Sequence, residues 1–187
     1  MLVNQIINVE EDFGSGEVTE PVTLQQAKDY LRLEGFGGDD SGEQDFDFDD
    51  TLINSMIQEA REWVEKFTGQ YIVPRSLTVV LLNQAGMIKL PGPVIGSIVF
   101  TDKDDTVIDS DDYDIIGTQW PKLETCYDER ITADYEAGYE TYPKWVENAI
   151  LAYVADHYEF RGDDLPPAAN ERAAQICRPQ RRVVSWA

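Results

Sequence analysis

The run DTLINSMIQEAREWVEKFTG, residues 50–69, constrains this chain more than any other stretch. Leu52, Ile53, Met56, Ile57, Ala60, Val64 and Phe67 recur at i, i+3 and i+4, the spacing that lays one apolar stripe along an α-helix. A helix over 51–68 with so wide a stripe must bury it against a partner, and Gly69 suits the position just past its end. The sequence supplies a partner much later, in YPKWVENAILAYVADHYEFRGDD. There Trp145, Val146, Ala149, Ile150, Tyr153, Val154, His157 and Tyr158 form a second stripe on a helix over 143–161. Pro143 fits the first turn of that helix, and Arg161 and Gly162 fit its last turn and stop. Burying each large member of such a stripe contributes roughly 1.5–3 kcal/mol. Both stripes therefore read as core. His157, the only histidine of the chain, falls within one and reads as structural.

Between the two helices the period changes. YIVPRSLTVVLL, GMIKLPGPVIGSIVFTD, TVIDSDDYDIIG and RITADYEAGY are short apolar or alternating runs broken by Gly, Pro and Asp, the pattern of strands joined by turns. TDKDDTV reads as a hairpin turn. Upstream, VTLQQAKDYLRLEG predicts a short helix with Thr23 and Gln26 at capping-box spacing and Gly35 as its stop. Residues 34–50 combine four glycines with eight acids and predict a loop, with Asp49 and Asp50 capping the next helix. The expected fold class is α+β, mainly helical: a helical bundle of three longer helices (about 23–34, 51–68 and 143–161) with an inserted small antiparallel β unit (about 71–142) and an extended C-terminal arm. The expected organisation is an acidic N-terminal leader over 1–21, a main domain over 22–162, and the arm over 163–187.

Charge narrows the function. The 36 acidic and 15 basic residues give a net charge of −21. The excess is regional: residues 1–70 hold 17 acids and 4 bases, residues 71–142 hold 13 and 5, and residues 143–187 hold 6 of each. A body this acidic does not bind DNA through phosphate neutralisation. No segment predicts a membrane span, and MLVNQIINVEEDFG lacks the basic and apolar regions of a signal peptide, so a cytosolic start is expected. Two widely separated cysteines, Cys126 and Cys177, match no zinc spacing. The series Asp45, Asp47, Asp49 fails the calcium-loop template, which needs Gly at its sixth position and Glu at its twelfth. Those places hold Asp50 and Met56. No metal, cofactor or catalytic residue is expected. Arg161-Gly162-Asp163 spells an adhesion tripeptide but reads as a helix terminus.

The ordered set of VTLQQAKDYLRL, DDTLINSMIQEAREWVEKFTG, IKLPGPVIGSIVFTD, DDYDII and ADYEAGY…YPKWVENAILAYVADHYEFRGD resembles the head–tail connector family of tailed double-stranded DNA phages. These adaptor or head-completion proteins have relatives in gene transfer agents. The resemblance covers about residues 22–187 and includes the Leu90-Pro91-Gly92-Pro93 lead-in to a strand and the Ala137-Gly138-Tyr139 turn. It implies a structural virion protein without enzymatic activity. Such a protein forms a homo-oligomeric ring, a dodecamer, below the portal protein at the head–tail interface, and is assembled in the bacterial host cytoplasm. The portal protein and a tail-completion or stopper protein are the implied partners, and double-stranded DNA passes through the lumen without specific binding.

Two sets of residues are candidates for those roles. Arg178, Arg181, Arg182, Val183, Val184 and Trp186 place arginines and apolar groups together in the arm, a composition typical of interface anchors, and are expected to meet the portal. Asp39, Asp40, Glu43, Asp45 and Asp47 are expected to face the channel and repel passing DNA, with Asp102, Asp104 and Asp105 of the hairpin as the other set. Two different readings compete: an acidic DNA mimic that inhibits a DNA-binding enzyme, which the basic, aromatic C-terminal segment disfavours, and a hydrolase with paired carboxylates, for which no pocket signature is present.

Overall fold

The computed structural model describes residues 5–14, 18–33, 47–82, 87–125, 130–160 and 170–182, with the side chains of 47–49 excepted. The chain divides into two compact units. One comprises residues 1–18 and 70–141, the other residues 19–69 and 142–187.

The first unit is built of strands. β1 (Gln5–Asp12), β2 (Arg75–Leu82), β7 (Arg130–Ala137) and β4 (Val94–Thr101) form an antiparallel sheet in the order β1-β2-β7-β4. β3 (Met87–Lys89), β6 (Lys122–Thr125) and β5 (Tyr113–Ile116) form a second, in the order β3-β6-β5. Alternation decides which side of each strand is buried. In β2 the inward residues are Leu77, Val79 and Leu81; in β7 they are Ile131, Ala133, Tyr135 and Ala137. They pack with Ile98, Phe100, Ile88, Leu90, Ile108 and Leu123 in one core.

The proline-rich lead-in is tied down by backbone hydrogen bonds. Leu90 N donates to Pro121 O, Tyr71 N to Gly92 O, and Val94 N to Thr118 O. Tyr135 Oη donates to Pro91 O at 2.9 Å. The Gly92–Pro93 peptide is cis. Gly138 adopts φ +132°, and a Cβ there would stand 2.7 Å from the backbone N of Pro74. Only glycine permits that approach, which lets Gly138 N donate to Pro93 O and Tyr139 N to Ile72 O.

β1 is held at the sheet edge by Arg75, which is 5% exposed. Its Nη1 donates to Glu11 Oε2 at 3.1 Å, its Nε donates to Val73 O, and its guanidinium lies over the rings of Phe13 and Tyr71. Tyr71 Oη donates to the other Glu11 oxygen at 3.0 Å. Residues 5–12, within the segment read as an acidic leader, are therefore a strand of the main sheet.

The second unit is helical: α1 (Leu24–Leu31), α2 (Asp47–Thr68), α3 (Lys144–Glu159) and α4 (Glu171–Cys177), followed by a 3-10 turn over Arg178–Gln180. The capping box forms as its spacing requires. Gln26 N donates to Thr23 Oγ1 at 3.2 Å and Thr23 N donates to Gln26 Oε1 at 2.8 Å. Ile53, Met56, Ile57, Ala60 and Val64 of α2 and Val146, Ala149, Ile150, Tyr153 and Val154 of α3 are all buried, and the two helices pack on each other. Arg61, 5% exposed, presents its Nε to both Glu20 oxygens at 3.1 and 3.2 Å and its Nη1 to Glu65 at 3.5 Å. Burial pushes the Glu20 carboxyl up, and Arg61 beside it pulls the other way.

Several expectations need correction. The molecule is not mainly a helical bundle: among the described residues it has seven strands in two antiparallel sheets beside four α-helices. Strand pairing recruits β1 from the far N-terminal region, which the local pattern of an acid-rich segment did not announce. The C-terminal region is not simply an extended arm. α4 buries Ala173, Ala174 and Cys177, because small residues at i and i+4 let it lie close. α1 ends at Leu31, with Arg32 in the left-handed region at φ +56°; Gly35 is outside the described residues. α2 starts at Asp47, so Asp49 and Asp50 lie in its first turn, where the dipole favours acids, and Asp50 pairs with Lys28. α3 ends at Glu159 with Phe160 at its cap; Arg161, Gly162 and Asp163 are outside the described residues.

The glycines give a graded prediction. At Gly96, with φ +71° and open space around it, Gly96→Ala should cost about 1–2 kcal/mol from the left-handed backbone alone. Gly138→Ala adds a collision with the Pro74 backbone and should cost at least about 3 kcal/mol. Urea unfolding of the two full-length variants against the parent measures both.

Candidate assembly surfaces

The C-terminal arginines sit at one end of the helical unit. Arg178 Nη2 donates to Glu171 Oε1 at 2.9 Å. The Arg181 guanidinium lies 5.3 Å from the centre of the Phe67 ring, within cation–π range. Arg182 N donates to Thr68 O at 2.8 Å, one of the carbonyls left over at the end of α2. The structure thus sets Arg181 and Arg182 against the C-terminal turn of α2, while Arg178 pairs back onto α4. Val183, Val184 and Trp186 are outside the described residues.

A ladder of rings leads away from this cluster. Phe67 stacks on Trp63 with centroids 5.0 Å apart, Trp63 meets Tyr153 at 5.5 Å, and Tyr153 stacks on His157 at 3.9 Å. Phe67, Trp63 and His157 are half-buried. Tyr153 Oη donates to Glu59 Oε1 at 3.0 Å, and burial, with the Glu59 acceptor beside it, pushes its phenol well above the usual range. His157 Nε2 lies 3.0 Å from Asn170 Oδ1. Its ring is thereby fixed between Tyr153 and the start of α4, in agreement with the structural role expected for it.

The acids divide differently. Asp39, Asp40, Glu43 and Asp45 are outside the described residues, and Asp47 opens α2 with its side chain undescribed. In the hairpin, Asp102 Oδ1 accepts from Asp104 N at 2.8 Å and from Thr106 N at 2.9 Å, which closes the turn. Thr101 bridges Val107 across it. Asp104 and Asp105 project at the exposed tip.

A further acidic surface was missed in the sequence. On the side of the four-stranded sheet turned away from the core, the register aligns Asp12, Ser76 and Glu136 in one row and Glu10, Thr78 and Asp134 in the next. Ile95 and Val99 of β4 continue these rows. Asp134 accepts from Thr78 Oγ1 at 2.5 Å. The alternation of Asp134 and Glu136 with Ala133, Tyr135 and Ala137 signals a two-faced strand, but the contribution of β1 is visible only in the pairing. On the outer side of the three-stranded sheet, Lys89, Lys122 and Ile116 form one row and Met87, Glu124 and Asp114 the neighbouring one.

Among the described residues no cluster of His, Cys, Asp and Glu is arranged to hold a metal, and no helix is long and apolar enough to cross a membrane. An open cleft of about 750 Å³ in the helical unit is lined by Asp29, Tyr30, Arg32, Tyr158, Glu159 and Arg172. Arg172 there reaches Tyr30 Oη at 3.3 Å and Asp156 Oδ1 at 3.5 Å.

The whole chain has a close match in solved particle structures. A chain from the neck of an empty GTA particle, computed with C6 symmetry, superposes with a TM-score of 0.69 at 18% identity, over 100% of this chain and 98% of that one. A chain from the virion of a native gene transfer agent (GTA) particle gives 0.64 at 19% identity, again over 100% and 98%. A chain from the neck of a native GTA particle, computed with C12 symmetry, gives 0.59 at 16% identity over 92% and 98%. No family model matches the chain, and no curated protein does. At these identities the shared property is the fold. The connector-type resemblance read from the order of sequence elements is matched by the three-dimensional fold of neck and virion chains.

Cys177 offers a check on the packing of α4. Its thiol is buried, and burial alone pushes it up to about 12 from an ordinary 9.0. In a Cys126→Ser background, iodoacetamide at pH 8 should label the native chain about a thousandfold more slowly than the urea-unfolded chain, following the thiolate fraction. The raised value favours the protonated thiol in the folded state. Its contribution to stability is present below pH 9 and is lost as pH rises from 9 to 12. Fast native labelling would mean that α4 is not packed as described.

Proposed function

We propose that this chain is a non-enzymatic structural protein of the neck of a tailed phage or gene transfer agent particle, where it forms an adaptor ring between the head and the tail. The observation that carries this reading is the fold shared over 100% of the chain with a chain from a neck structure of C6 symmetry and over 92% with one of C12 symmetry. In this reading twelve copies stand below the portal protein, a tail-completion or stopper protein binds the opposite face, and double-stranded DNA passes through the lumen unbound. The protein assembles in the bacterial host cytoplasm and remains in the virion at the head–tail interface.

The C-terminal residues Arg178, Arg181, Arg182, Val183, Val184 and Trp186 are assigned to the portal contact. Arg181 lies over Phe67 at the end of α2, and Arg178 pairs with Glu171 of α4. Aromatic and arginine side chains of this kind are the usual energetic anchors of interfaces. The channel role belongs to Asp39, Asp40, Glu43, Asp45 and Asp47. A lumen lined by carboxylates repels phosphate and gives the duplex no deep well in which to stick, whereas lysines or arginines would bind it with release of counterions.

The test separates anchoring from folding. Arg181 and Arg182 contact the chain's own α2 and Arg178 contacts α4, so the informative truncation removes only residues 183–187. That variant should keep the parent's melting temperature within about 2 °C and should fail to co-purify with the portal protein. Normal portal attachment by the truncated chain would remove these residues from the interface. A full-length chain that never binds the portal would remove the adaptor reading itself.

A further inference from the structure

The outer face of the three-stranded sheet contains an arrangement that the isolated chain does not explain. Lys89 and Lys122 are directly opposed across β3 and β6. Side chains so placed are neighbours, and like charges there are destabilising. The chain has more than twice as many acids as bases, 36 against 15, so internal partners are abundant. Glu124 and Asp114 occupy only the adjacent row, and among the described residues neither lysine forms an ion pair. Beside the lysines Ile116 is 49% exposed.

The open face of the four-stranded sheet is acidic over two rows. Glu10, Asp12, Asp134 and Glu136 crowd into two adjacent rows with no base among them; Arg130 stands two rows away, opposite Leu82. An exposed apolar side chain, Val99, borders these rows at 45% exposure. The lysine row, with Glu124 and Asp114 in the row beside it, is a line of positive charge, the two rows of the four-stranded sheet are acidic, and each borders an exposed apolar side chain.

From this complementarity we infer that the Lys89–Lys122 row of one copy docks on the acidic rows of a second copy, so that successive protomers join sheet to sheet. The inference rests on the ring reading and supplies its lateral contact. A contact between two different patches is head-to-tail, the type that generates closed rings when the rotation permits. It also places attraction between chains that otherwise repel at −21 each, and opposed potentials of this kind fix register between partners. The lysine row could alternatively serve a nucleic-acid phosphate. The acidic rows on the other sheet, which hold no base, favour a second copy, because the lysine row and the acidic rows then both meet opposite charge.

The experiment uses two full-length variants, Lys89→Glu/Lys122→Glu and Asp134→Lys/Glu136→Lys. Ring formation is followed by sedimentation velocity and by electron microscopy on portal-bound material. Each variant alone should associate at least about tenfold more weakly than the parent, since one sets acid against acid across every junction and the other sets two lysines against the Lys89–Lys122 row. An equimolar mixture should recover association, because alternating copies then meet acid to base at every contact, and this recovery also shows that both variants are folded. Parental association by either variant alone, or no recovery in the mixture, overturns the inference. So does a result in which the lysine variant assembles normally and only its retention on a DNA column changes. Failure of the parent chain to form rings on the portal would instead count against the adaptor reading.

Discussion

The packing of α2 on α3 is the constraint on which the rest depends. The chain leaves the helical unit at Gly69 and returns at Tyr142, so the two halves of that core are separated by the whole β excursion. Closing so long a loop costs entropy that grows only slowly with length, and the buried stripes of Ile53, Ile57, Ala60 and Val64 against Val146, Ala149, Ile150 and Val154 supply the apolar burial that offsets it. Arg61 works in the same direction. Its guanidinium gathers Glu20, Glu62 and Glu65, which fixes residues before α1 against the middle of α2. A buried arginine with this many acceptors is costly to strip of partners. The β unit solves the mirror-image problem, since β1 must come from the chain's beginning to pair with β2. Arg75 and Glu11 hold it there.

Much of this was legible in the residues, and the part that was not has a common cause. The stripes of α2 and α3, the Thr23–Gln26 box, the Gly69 stop at φ +69° and the Asp102 turn are all local: spacing or capping chemistry within a few residues specifies them. The weight of the β structure was misjudged because pairing is long-range. Gln5–Asp12 reads as an acidic segment until β2 is set beside it. Its apolar positions, Ile6 and Val9, are separated by a bulge between Ile6 and Asn8 that breaks the alternation a strand should show. α4 was read as part of an extended arm, since its stabilising contacts are with α2 and α3 and not within itself.

The candidate site shows the same division. The arginines at the C-terminus stood out by composition, and Arg181 and Arg182 are set in space against Phe67 and Thr68. The acidic face that combines Glu10 and Asp12 with Asp134 and Glu136 could not be read from the chain, because no window of sequence contains both pairs. Charge in this protein is thus arranged by topology. Carboxylates that are scattered in sequence become a surface in the sheet, while Arg172, Arg178, Arg181 and Arg182 gather on α4 and the turn after it and Lys89 and Lys122 oppose each other on the smaller sheet. Such separation lets a chain of high net charge retain specific attractive contacts.

The central claim, that the chain is a ring protein of the neck, is tested most directly by electron cryo-microscopy of intact particles, with the density at the head–tail vertex averaged without imposed symmetry. The account predicts a single ring below the portal into which this fold fits in twelve equivalent copies around an open channel. A neck in which the fold is absent, or is present as a single copy beside the channel, would contradict it.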